Sequence, residues 1–334
     1  MTEETSRLPA AQAAFVEALP AATTGSETIL IEHALGRTLA ADLTAPEDSP
    51  PYHRAIVEGY VVHAAATEGA DAEEPVSFKV VGQVNPGDDS FPHLPGDGAI
   101  QVATGSILPD GPIAVVRMWE AEVDAGTITI KRPFPPRFFV EDMGCDVARG
   151  DTVLAAGTAL GPLDIGTIAS LGIDRVQVAR RPLVTLFASG DEVVPYTDAM
   201  RPGAIRDSNT PMLAAAVAAA GGETETGGIM ADDFDAFVAK VRGALAASDM
   251  VLISGGTAVG GRDFISDLVR EVGQLVVDGV PMRSGRPLIM GHAEGKPIVC
   301  VAGHPPEALR GFHLFGKAAI DRITGRNAPL PVDE

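Results

Sequence analysis

The chain has 334 residues, 46% of them hydrophobic, which is enough to bury a sizeable core and to divide into more than one domain. Its 45 acidic side chains outnumber 25 basic ones, and the net charge of -20 argues against nucleic acid as a partner because a phosphate backbone would be repelled. The sequence has neither an apolar run of the roughly 20 residues that cross a bilayer nor a basic and apolar leader, so we expect a cytoplasmic protein without membrane contact.

The first half of the chain is predicted to contain a linking layer and a small β domain. The alanine-rich segment 10–19 predicts a short helix, and 28–41 predicts two extended pieces around Gly36-Arg37. Asp124-Ala125-Gly126 predicts a hairpin turn. The predicted β segments are 76–81, 99–103, 113–122 and 127–132. We therefore expect a linking domain of residues 1–57 plus 138–181, and a small, mostly β domain of residues 58–137.

The second half of the chain alternates between apolar strands and helical segments. Strands are predicted at 183–188, 223–229, 250–253 and 297–301, and helices at 210–220, 234–247, 264–272 and 306–324. Such alternation is typical of a parallel sheet that is covered by helices on both faces. We therefore expect residues 182–327 to form an α/β domain with a doubly wound, mostly parallel sheet.

Polar, glycine-rich loops follow three of these strands. In chain order they contain Ser189-Gly190-Asp191-Glu192, Ser254-Gly255-Gly256 and Gly303-His304-Pro305. Because the carboxyl ends of parallel strands lie at one edge of a sheet, we expect the three loops to converge on one site. Glycine amides can approach a phosphate there, and Asp191 and Glu192 offer hard oxygen ligands for Mg²⁺. Taken singly, each loop is better explained by ordinary turn chemistry, and only the three loops together favour a site.

Two further features of the second half suit an anionic ligand. Ser208 and Asn209 precede the helix predicted at 210–220, where Ser208 can cap the helix and also bind a ligand. Arg283 and Arg286 flank Ser284-Gly285 and can hold an oxyanion. Without context, a pair of solvated surface arginines is the simpler interpretation.

The first half carries weaker signals for a site. Glu58 stands next to a glycine, Thr104-Gly105 lies in a loop of small residues, and Asp146 follows Asp142 in an acidic loop. The Glu58 signal is weak by itself, and turn chemistry is the better explanation of each of the other two loops taken alone. Whether these residues form a functional site therefore depends on which residues lie near them in the fold.

Motifs that do not occur narrow the function class. The seven histidines have neither HxxxH nor HxH spacing, so we expect no zinc site. GxxxxGK[ST], GxGxxG and GxSxG are also missing, which argues against a Walker ATPase, an ordinary dinucleotide enzyme and an α/β hydrolase. Cys145 and Cys300 cannot form a disulfide framework, and we expect both to be small packing residues in a reducing compartment.

From about Ala13 to Gly325, the order of these motifs resembles the molybdopterin molybdenumtransferase family, to which the C-terminal part of gephyrin also belongs. The most specific part combines Gly190-Asp191-Glu192 with Gly-Ala-Ile-Arg-Asp-Ser-Asn at 203–209 and Ser-Gly-Gly-Thr-Ala-Val-Gly at 254–260, ending at Asp263. The segments 103–109 and 163–172 are also characteristic. A match over this length is stronger than any one motif.

The resemblance implies a reaction and its reactants. Adenylylated molybdopterin would meet molybdate, AMP would be released, and the metal would enter the dithiolene with help from Mg²⁺. The resemblance also implies a homodimer, in which the α/β domain holds the pterin phosphate and the β domain contributes across the dimer interface. A molybdoenzyme or another cofactor-biosynthesis protein is an expected partner. Typical members continue into a C-terminal β domain, which we expect this chain to lack.

Carried over by position, the resemblance assigns roles to individual residues. Glu58, where the family has aspartate, and Asp146 are the expected catalytic residues, and Asp191 and Glu192 are the expected metal ligands. Arg283 and Arg286 stand where the family has two lysines, and His304 replaces an asparagine; all three are expected to bind substrate. The other expected substrate-binding residues are Thr104, Gly105, Ser189, Gly190, Ser208, Asn209, Ser254, Gly255, Gly256, Asp263, Gly303 and Pro305.

Three functions stay open at this point. The main hypothesis is an active metal-inserting transferase. The second is a non-catalytic carrier or regulatory paralogue that binds the cofactor, suggested by altered positions such as Gly-Thr-Ala-Val-Gly-Gly at 256–261, where the family has Gly-Val-Ser-Val-Gly-Asp. The third is an unrelated sugar-nucleotide or phosphate enzyme on a similar sheet, since a fold alone does not decide function.

Overall fold

The computed structural model describes residues 3–231, 233–255, 264–280 and 288–332. Within these ranges the chain forms two compact units. The first unit comprises Met1–Asp42, Leu154–Ala169 and Ile173–Glu334, and the second comprises Leu43–Val153 and Ser170–Gly172. The division into residues 1–57 plus 138–181, 58–137 and 182–327 stays a prediction.

The described residues form both α-helices and β-strands, numbered in chain order. The helices are α1 (Glu3–Ala18), α2 (Pro162–Ser170), α3 (Asn209–Ala219), α4 (Phe234–Ala247), α5 (Phe264–Val272), α6 (Pro305–Gly311) and α7 (Lys317–Ile323). The strands of the first part are β1 (Ser26–Leu30), β2 (Leu43–Thr44), β3 (Arg54–Ala55), β4 (Gly59–His63), β5 (Val76–Val84), β6 (Gly98–Val102), β7 (Ile113–Arg117), β8 (Glu122–Asp124), β9 (Thr127–Ile130), β10 (Val140–Glu141), β11 (Thr152–Leu154) and β12 (Arg175–Ala179). Those of the second part are β13 (Leu183–Ser189), β14 (Val193–Val194), β15 (Ile205–Arg206), β16 (Glu223–Met230), β17 (Met250–Gly255), β18 (Gln274–Val280), β19 (Leu288–Ala293) and β20 (Lys296–Val301).

The first unit is built on a six-stranded sheet in the order β16-β13-β17-β20-β19-β18. The four strands from β16 to β20 are parallel, whereas β19 and β18 are antiparallel to their neighbours. Apolar side chains cover both faces: Phe15 and Phe315 belong to one core cluster, and Phe237 and Leu268 belong to the other. The predicted α/β class with a doubly wound, mostly parallel sheet is therefore confirmed.

The antiparallel pair β18 and β19 was not predicted from the sequence. Glycines interrupt the apolar pattern of both strands, at Gly279 and Gly291. A Cβ atom at Gly291 would lie 2.4 Å from the carbonyl oxygen of Gln274, so the strands approach too closely there for a side chain. Because the close contact requires glycine, the apolar pattern is interrupted there, and a prediction based on apolar residues does not detect these strands.

The long helix predicted at 306–324 is divided in three. A π-helical segment, Phe312–Gly316, lies between α6 and α7. A Cβ atom at Gly316 would lie 2.3 Å from the Phe312 ring, so glycine makes room for that buried ring. The helical periodicity is preserved on both sides, which explains why a single helix was expected.

The second unit contains a six-stranded sheet in the order β7-β4-β6-β5-β9-β8. The predicted hairpin is confirmed: β8 and β9 are antiparallel, and Ala125 and Gly126 both have positive φ, 43° and 80°. The strand predicted at 113–122 is wrong at its end, because β7 ends at Arg117. An ion pair between Arg117 and Glu120 (2.7 Å) spans the short 3-10 turn that follows.

No helix among the described residues combines the length and apolar character that crossing a membrane requires. The two cysteines differ in environment. Cys300 is buried, and burial raises the pKa of its thiol, as expected for a packing residue. Cys145 is exposed, so the expectation that it is a packing residue is wrong.

Candidate functional site

A cleft of about 710 Å³ opens at the carboxyl ends of β13, β17 and β20 in the first unit. All three predicted loops contribute to it, so their expected convergence at one edge of the sheet is confirmed. Whether these residues bind a ligand stays a prediction. The lining residues are Ala188, Ser189, Glu192, Val193, Ile205, Arg206, Asp207, Ser208, Asn209, Ser254, Gly255, Gly303, His304, Pro305 and Glu307.

Gly255 closes the strand at the floor of the cleft. Its φ is +88°, in the region that favours glycine, and a Cβ atom there would lie 2.6 Å from the carbonyl oxygen of Ser189. Because of this, β13 and β17 can stay paired up to Ser189 and Gly255. The predicted small-residue loop is therefore a steric requirement of the sheet edge as well as a candidate binding surface.

Two side chains of the cleft each carry a buried polar atom that has no hydrogen-bond partner among the described residues. Ser189 is 5% exposed and Asn209 is 8% exposed, and the unpartnered atoms are Ser189 Oγ and Asn209 Oδ1. The Asn209 amide is fixed because its Nδ2 donates to the carbonyl oxygen of Gly303 (2.8 Å). Buried polar atoms without partners are costly, so both atoms indicate a bound ligand or ordered water.

The start of α3 differs from the prediction that Ser208 caps it. Ser208 occupies the N-cap position but has helical dihedral angles (φ -95°, ψ -16°), and its side chain makes no capping hydrogen bond. The carboxylate of Asp207 instead accepts a hydrogen bond from the Thr210 N–H (3.0 Å). Asp207 therefore satisfies the helix terminus, and the exposed Ser208 lines the cleft instead.

The acidic pair Asp191-Glu192 is divided by the fold. Glu192 lines the cleft, and its carboxylate lies so near Gly190 that a Cβ atom there would be 2.7 Å from Oε2. Asp191 and Gly190 are not lining residues, and the Asp191 carbonyl accepts from Arg201 (3.4 Å). Magnesium binding by Asp191 and Glu192 stays a prediction.

The charge of the cleft is mixed. Among its described residues, the acidic side chains are Glu192, Asp207 and Glu307, the arginine is Arg206, and His304 also lines the cleft. A phosphorylated ligand would need more positive charge than these residues supply. Four predicted positions, Gly256, Asp263, Arg283 and Arg286, lie outside the described residues.

The second unit carries the other predicted residues. Glu58, Asp146 and Thr104 are all exposed, and the Gly105 N–H donates to the Ala55 carbonyl (2.7 Å). Ala55 also pairs with Val140 on β10, which leads into the loop of Asp146. The Thr104-Gly105 turn is therefore hydrogen-bonded to the pair of strands β3 and β10. The predicted catalytic residues Glu58 and Asp146 follow these two strands in the sequence.

Asp146 lies in a group that sequence spacing did not reveal. Ligand atoms of Glu141, Cys145 and Asp146 lie within 4.8 Å of one another. The Arg54 guanidinium pairs with Glu141, which raises the arginine's pKa, and the charge of Asp146 contributes to the same effect. The Arg54 guanidinium therefore already supplies a positive charge to these acidic groups, so their closeness does not by itself indicate a metal site.

Sequence reasoning assigned no role to several cleft residues. Ile205, Arg206, Asp207 and Glu307 line the cleft. The signal available for Arg206 and Asp207 was their place in the motif at 203–209. Their position depends on the two-residue strands β14 and β15, which are parallel and too short to leave a sequence pattern.

Two protein-family models match this chain, each over a different part of it. Residues 7–172 match the family model of the MoeA N-terminal region (domain I and II). Residues 185–322 match the model described as "Probable molybdopterin binding domain". The second match contains every residue that lines the cleft.

Curated and solved relatives agree with these matches. A molybdopterin molybdenumtransferase of Staphylococcus epidermidis is 29% identical over 304 residues, covering 91% of this chain and 73% of the relative. The enzyme of that name from Staphylococcus aureus is 29% identical over 306 residues, with the same coverage of 91% and 73%. A crystal structure of the molybdopterin biosynthesis MoeA protein from Pyrococcus horikoshii has a TM-score of 0.79 and 33% identity, covering 96% of this chain and 80% of that one. A second structure of that protein has a TM-score of 0.81 and 27% identity, with coverage of 96% and 79%.

Proposed function

Because the chain belongs to the MoeA family of molybdopterin molybdenumtransferases and has a role in molybdenum cofactor biosynthesis, we propose that it inserts molybdenum into adenylylated molybdopterin and releases AMP. The family expected from the sequence is thereby confirmed. In the proposed reaction, water attacks the anhydride that joins the two phosphates, and AMP and molybdopterin are the products of this cleavage. Two Mo–S bonds then form as one oxo ligand of molybdate leaves as water with the two protons of the dithiol, so the oxidation state of the metal does not change. The proposal also assigns the substrate to the cleft of the first unit.

The unpartnered atoms of Ser189 and Asn209 are the observation that carries this proposal. Asn209 Nδ2 is occupied by Gly303, so its Oδ1 is left to accept a hydrogen bond from a ligand. Ser189 Oγ can donate to an anionic oxygen. A phosphorylated pterin offers N–H donors and phosphate oxygens together, so it would satisfy both buried atoms.

The donor set fits Mg²⁺ as the assisting cation. Glu192 presents hard carboxylate oxygens to the cleft, which Mg²⁺ prefers, and the excess of carboxylates in the cleft calls for a cation when a phosphate binds. When bound, the ion would neutralise phosphate charge and make the anhydride easier to cleave. Arg206 and the amides of the polar loops would position the phosphate oxygens.

Glu58 and Asp146 are proposed as the catalytic residues of the second unit. Both are exposed to solvent, so water can reach the carboxylate at either position and give a proton to it. Thr104 and Gly105 are proposed to contact the substrate from the turn next to β3. A homodimer, a cytoplasmic location and delivery of the product to a molybdoenzyme are further parts of the proposal.

The proposed function is tested by incubating the purified protein with adenylylated molybdopterin, Mg²⁺ and molybdate. AMP release and the activation of a cofactor-free molybdoenzyme are then measured together. Both signals are expected, and omission of molybdate should abolish only the second. Tight binding of the pterin nucleotide without AMP release would instead identify a carrier and overturn the transferase proposal.

A further inference from the structure

His53 lies where three loops of the second unit meet. It directly precedes the short strand β3, and its side chain is 21% exposed. Its main-chain carbonyl accepts a hydrogen bond from the Leu108 N–H (2.8 Å), in the loop between β6 and β7. Its ring is hydrogen-bonded to Asp110 of that loop, to Arg137 before β10 and to Met143 after β10. One residue therefore links segments that are distant in the sequence.

The hydrogen bonds around the ring determine which of its nitrogens carries the proton. The Met143 N–H donates to Nδ1 (3.0 Å), and the Arg137 guanidinium donates to the same nitrogen (2.8 Å). Neither group can accept a hydrogen bond, so Nδ1 is the acceptor, and Nε2 carries the proton and donates to the Asp110 carboxylate (2.6 Å). The Asp142 carboxylate, 3.2 Å from Nδ1, accepts from Arg137 instead. The contacts thus assign one tautomer to His53.

The ring continues the contact between two chain segments where their backbone pairing ends. The strands β3 and β10 pair up to Arg54 and Glu141. Two residues after Glu141, the Met143 N–H donates to the His53 ring in place of a backbone carbonyl. Because a backbone N–H needs an acceptor when it leaves water, the side chain supplies here what a longer strand would have supplied.

Asp146, a proposed catalytic residue, belongs to the turn that the ring holds. The turn is closed, because ligand atoms of Glu141 and Asp146 lie within 4.8 Å of each other. The Asp146 N–H donates to the Ser49 carbonyl (3.0 Å), which fixes the end of the turn. Met143 lies in the middle of the turn, where the His53 ring is its acceptor. The position of the Asp146 carboxylate therefore depends on both attachments.

We propose that His53 is a positioning residue for Asp146, with Nδ1 as the acceptor that fixes the turn from Glu141 to Asp146. The inference rests on the proposed function, in which Asp146 takes part in AMP release. His53 acts through the turn and does not contact the substrate. Because a displacement of about 1 Å in a catalytic group can cost up to about 100-fold in rate, a fixed turn favours proton transfer to Asp146.

Variants that keep, move or remove the acceptor test this role. His53→Asn places an amide oxygen near the position of Nδ1 and should retain most of the rate of AMP release. His53→Gln places the oxygen near Nε2 and His53→Ala removes it, so both should lower kcat by about tenfold, as expected for one lost hydrogen bond, with KM unchanged. Equal rates for the wild type and His53→Ala, or equal losses in the Asn and Ala variants, would overturn the proposal.

His63→Ala is the matched control. The His63 ring also bonds to the backbone of a loop in the second unit, because its Nε2 lies 3.1 Å from the Leu94 carbonyl oxygen. His63→Ala should lower the unfolding temperature about as much as His53→Ala does, while AMP release keeps its wild-type rate. A similar loss of rate in both alanine variants would mean that His53 only stabilises the unit, and the positioning role would be wrong.

NMR of the full-length protein labelled with ¹⁵N tests the geometry without any assay of activity. The His53 ring signals are the ones, among those of the seven histidines, that disappear in His53→Asn. They should show a protonated Nε2 and an unprotonated Nδ1. The Met143 amide should exchange with solvent slowly in the wild type and in His53→Asn, and faster in His53→Ala. A protonated Nδ1, or a Met143 amide that exchanges equally fast in all three proteins, would overturn the proposal.

The two kinds of measurement separate this proposal from the proposed function. If the wild type releases AMP but His53 carries its proton on Nδ1, the positioning role is wrong and the transferase function stands. If the tautomer and the Met143 protection are as expected but the wild type releases no AMP, His53 fixes the turn and the transferase function is wrong.

Discussion

The side-chain amide of Asn209 donates a hydrogen bond to the carbonyl oxygen of Gly303 (2.8 Å), which ties the first turn of α3 to the loop after β20. This contact orients the other atom of the amide, Oδ1, which is buried and unpartnered within the described residues. A single side chain therefore shapes the cleft and also presents an acceptor to it. The opposite orientation of the amide would place its oxygen against a carbonyl oxygen and lose this arrangement.

We expect Asn209→Ala to weaken binding of molybdopterin by about tenfold and to lower the free energy of unfolding by about 1 kcal/mol, since the hydrogen bond to Gly303 is lost. Asn327→Ala is the matched control, because the Asn327 amide also donates to a backbone carbonyl (Ala156, 3.1 Å) but does not line the cleft. Pterin binding by equilibrium dialysis and thermal unfolding check the pair. Equal binding losses in the two variants would contradict a direct role for Asn209.

Ser189→Ala should reduce ligand binding without reducing stability. The Ser189 hydroxyl is buried and has no partner among the described residues, so removing it from the free protein costs no hydrogen bond. Ser248 is the control: its buried hydroxyl donates to the Ala244 carbonyl (2.8 Å), and Ser248→Ala should cost about 1 kcal/mol. Chemical denaturation of both variants makes the comparison. A Ser189→Ala protein that is as destabilised as Ser248→Ala would mean that the hydroxyl has a structural partner.

Gly255→Ala should destabilise the first unit by more than about 1 kcal/mol, because alanine is strained at φ +88° and its Cβ would lie 2.6 Å from the Ser189 carbonyl oxygen. Gly243 lies inside α4 with nothing within 4 Å of an added Cβ. Gly243→Ala should therefore stabilise the protein by about 0.5 to 1 kcal/mol. Thermal unfolding distinguishes the opposite signs, and a neutral Gly255→Ala would show that the sheet edge tolerates a side chain.

Glu58→Gln and Asp146→Asn should each lower the rate of AMP release by about 100-fold or more, since each removes a proposed proton acceptor. Both side chains are exposed, so the thermal stability of the variants should match that of the wild type. Glu68→Gln changes an exposed glutamate of the same unit and serves as the control. Unchanged turnover in both active-site variants would remove them from the mechanism.

The stability contributed by Glu120 should depend on pH. Hydrogen bonds from Arg117, and then from Arg132, lower the pKa of the Glu120 carboxyl from 4.5 to about 2, so the charged form is favoured by folding. Its contribution is therefore fully present above pH 4.5 and is lost as the pH falls toward 2. Glu120→Gln should be less stable than the wild type at pH 7, by about 1 to 2 kcal/mol for a hydrogen bond to charged groups, and the difference should shrink in acid.

Urea unfolding of Glu120→Gln and wild type across this pH range measures the dependence. Glu122→Gln is the control, because the partner of Glu122, Lys131, is on an exposed surface where ion pairs contribute little. A stability difference that is constant from pH 7 to acid would mean that Glu120 acts through packing.

The family, the α/β class and the edge of the sheet where polar loops meet were all predictable from the sequence. Alternating strands and helices leave a periodic apolar pattern, and parallel strands must present their carboxyl ends together, so the convergence of Ser189, Ser254 and Gly303 followed from order alone. The hairpin at Ala125-Gly126 was equally local, because positive φ angles depend on the residue types of the turn.

Which polar atoms of these loops have hydrogen-bond partners depends on the three-dimensional fold and was not predictable from the sequence. That Asp207 and not Ser208 caps α3, that Glu192 and not Asp191 reaches the cleft, and that Asn209 Oδ1 has no partner in the described chain depend on contacts between distant segments. The same is true of the exposure of Trp119, which lies in the turn that the Arg117–Glu120 ion pair spans. Hydrogen bonding and burial are properties of neighbours in space, and a linear pattern records only neighbours in the chain.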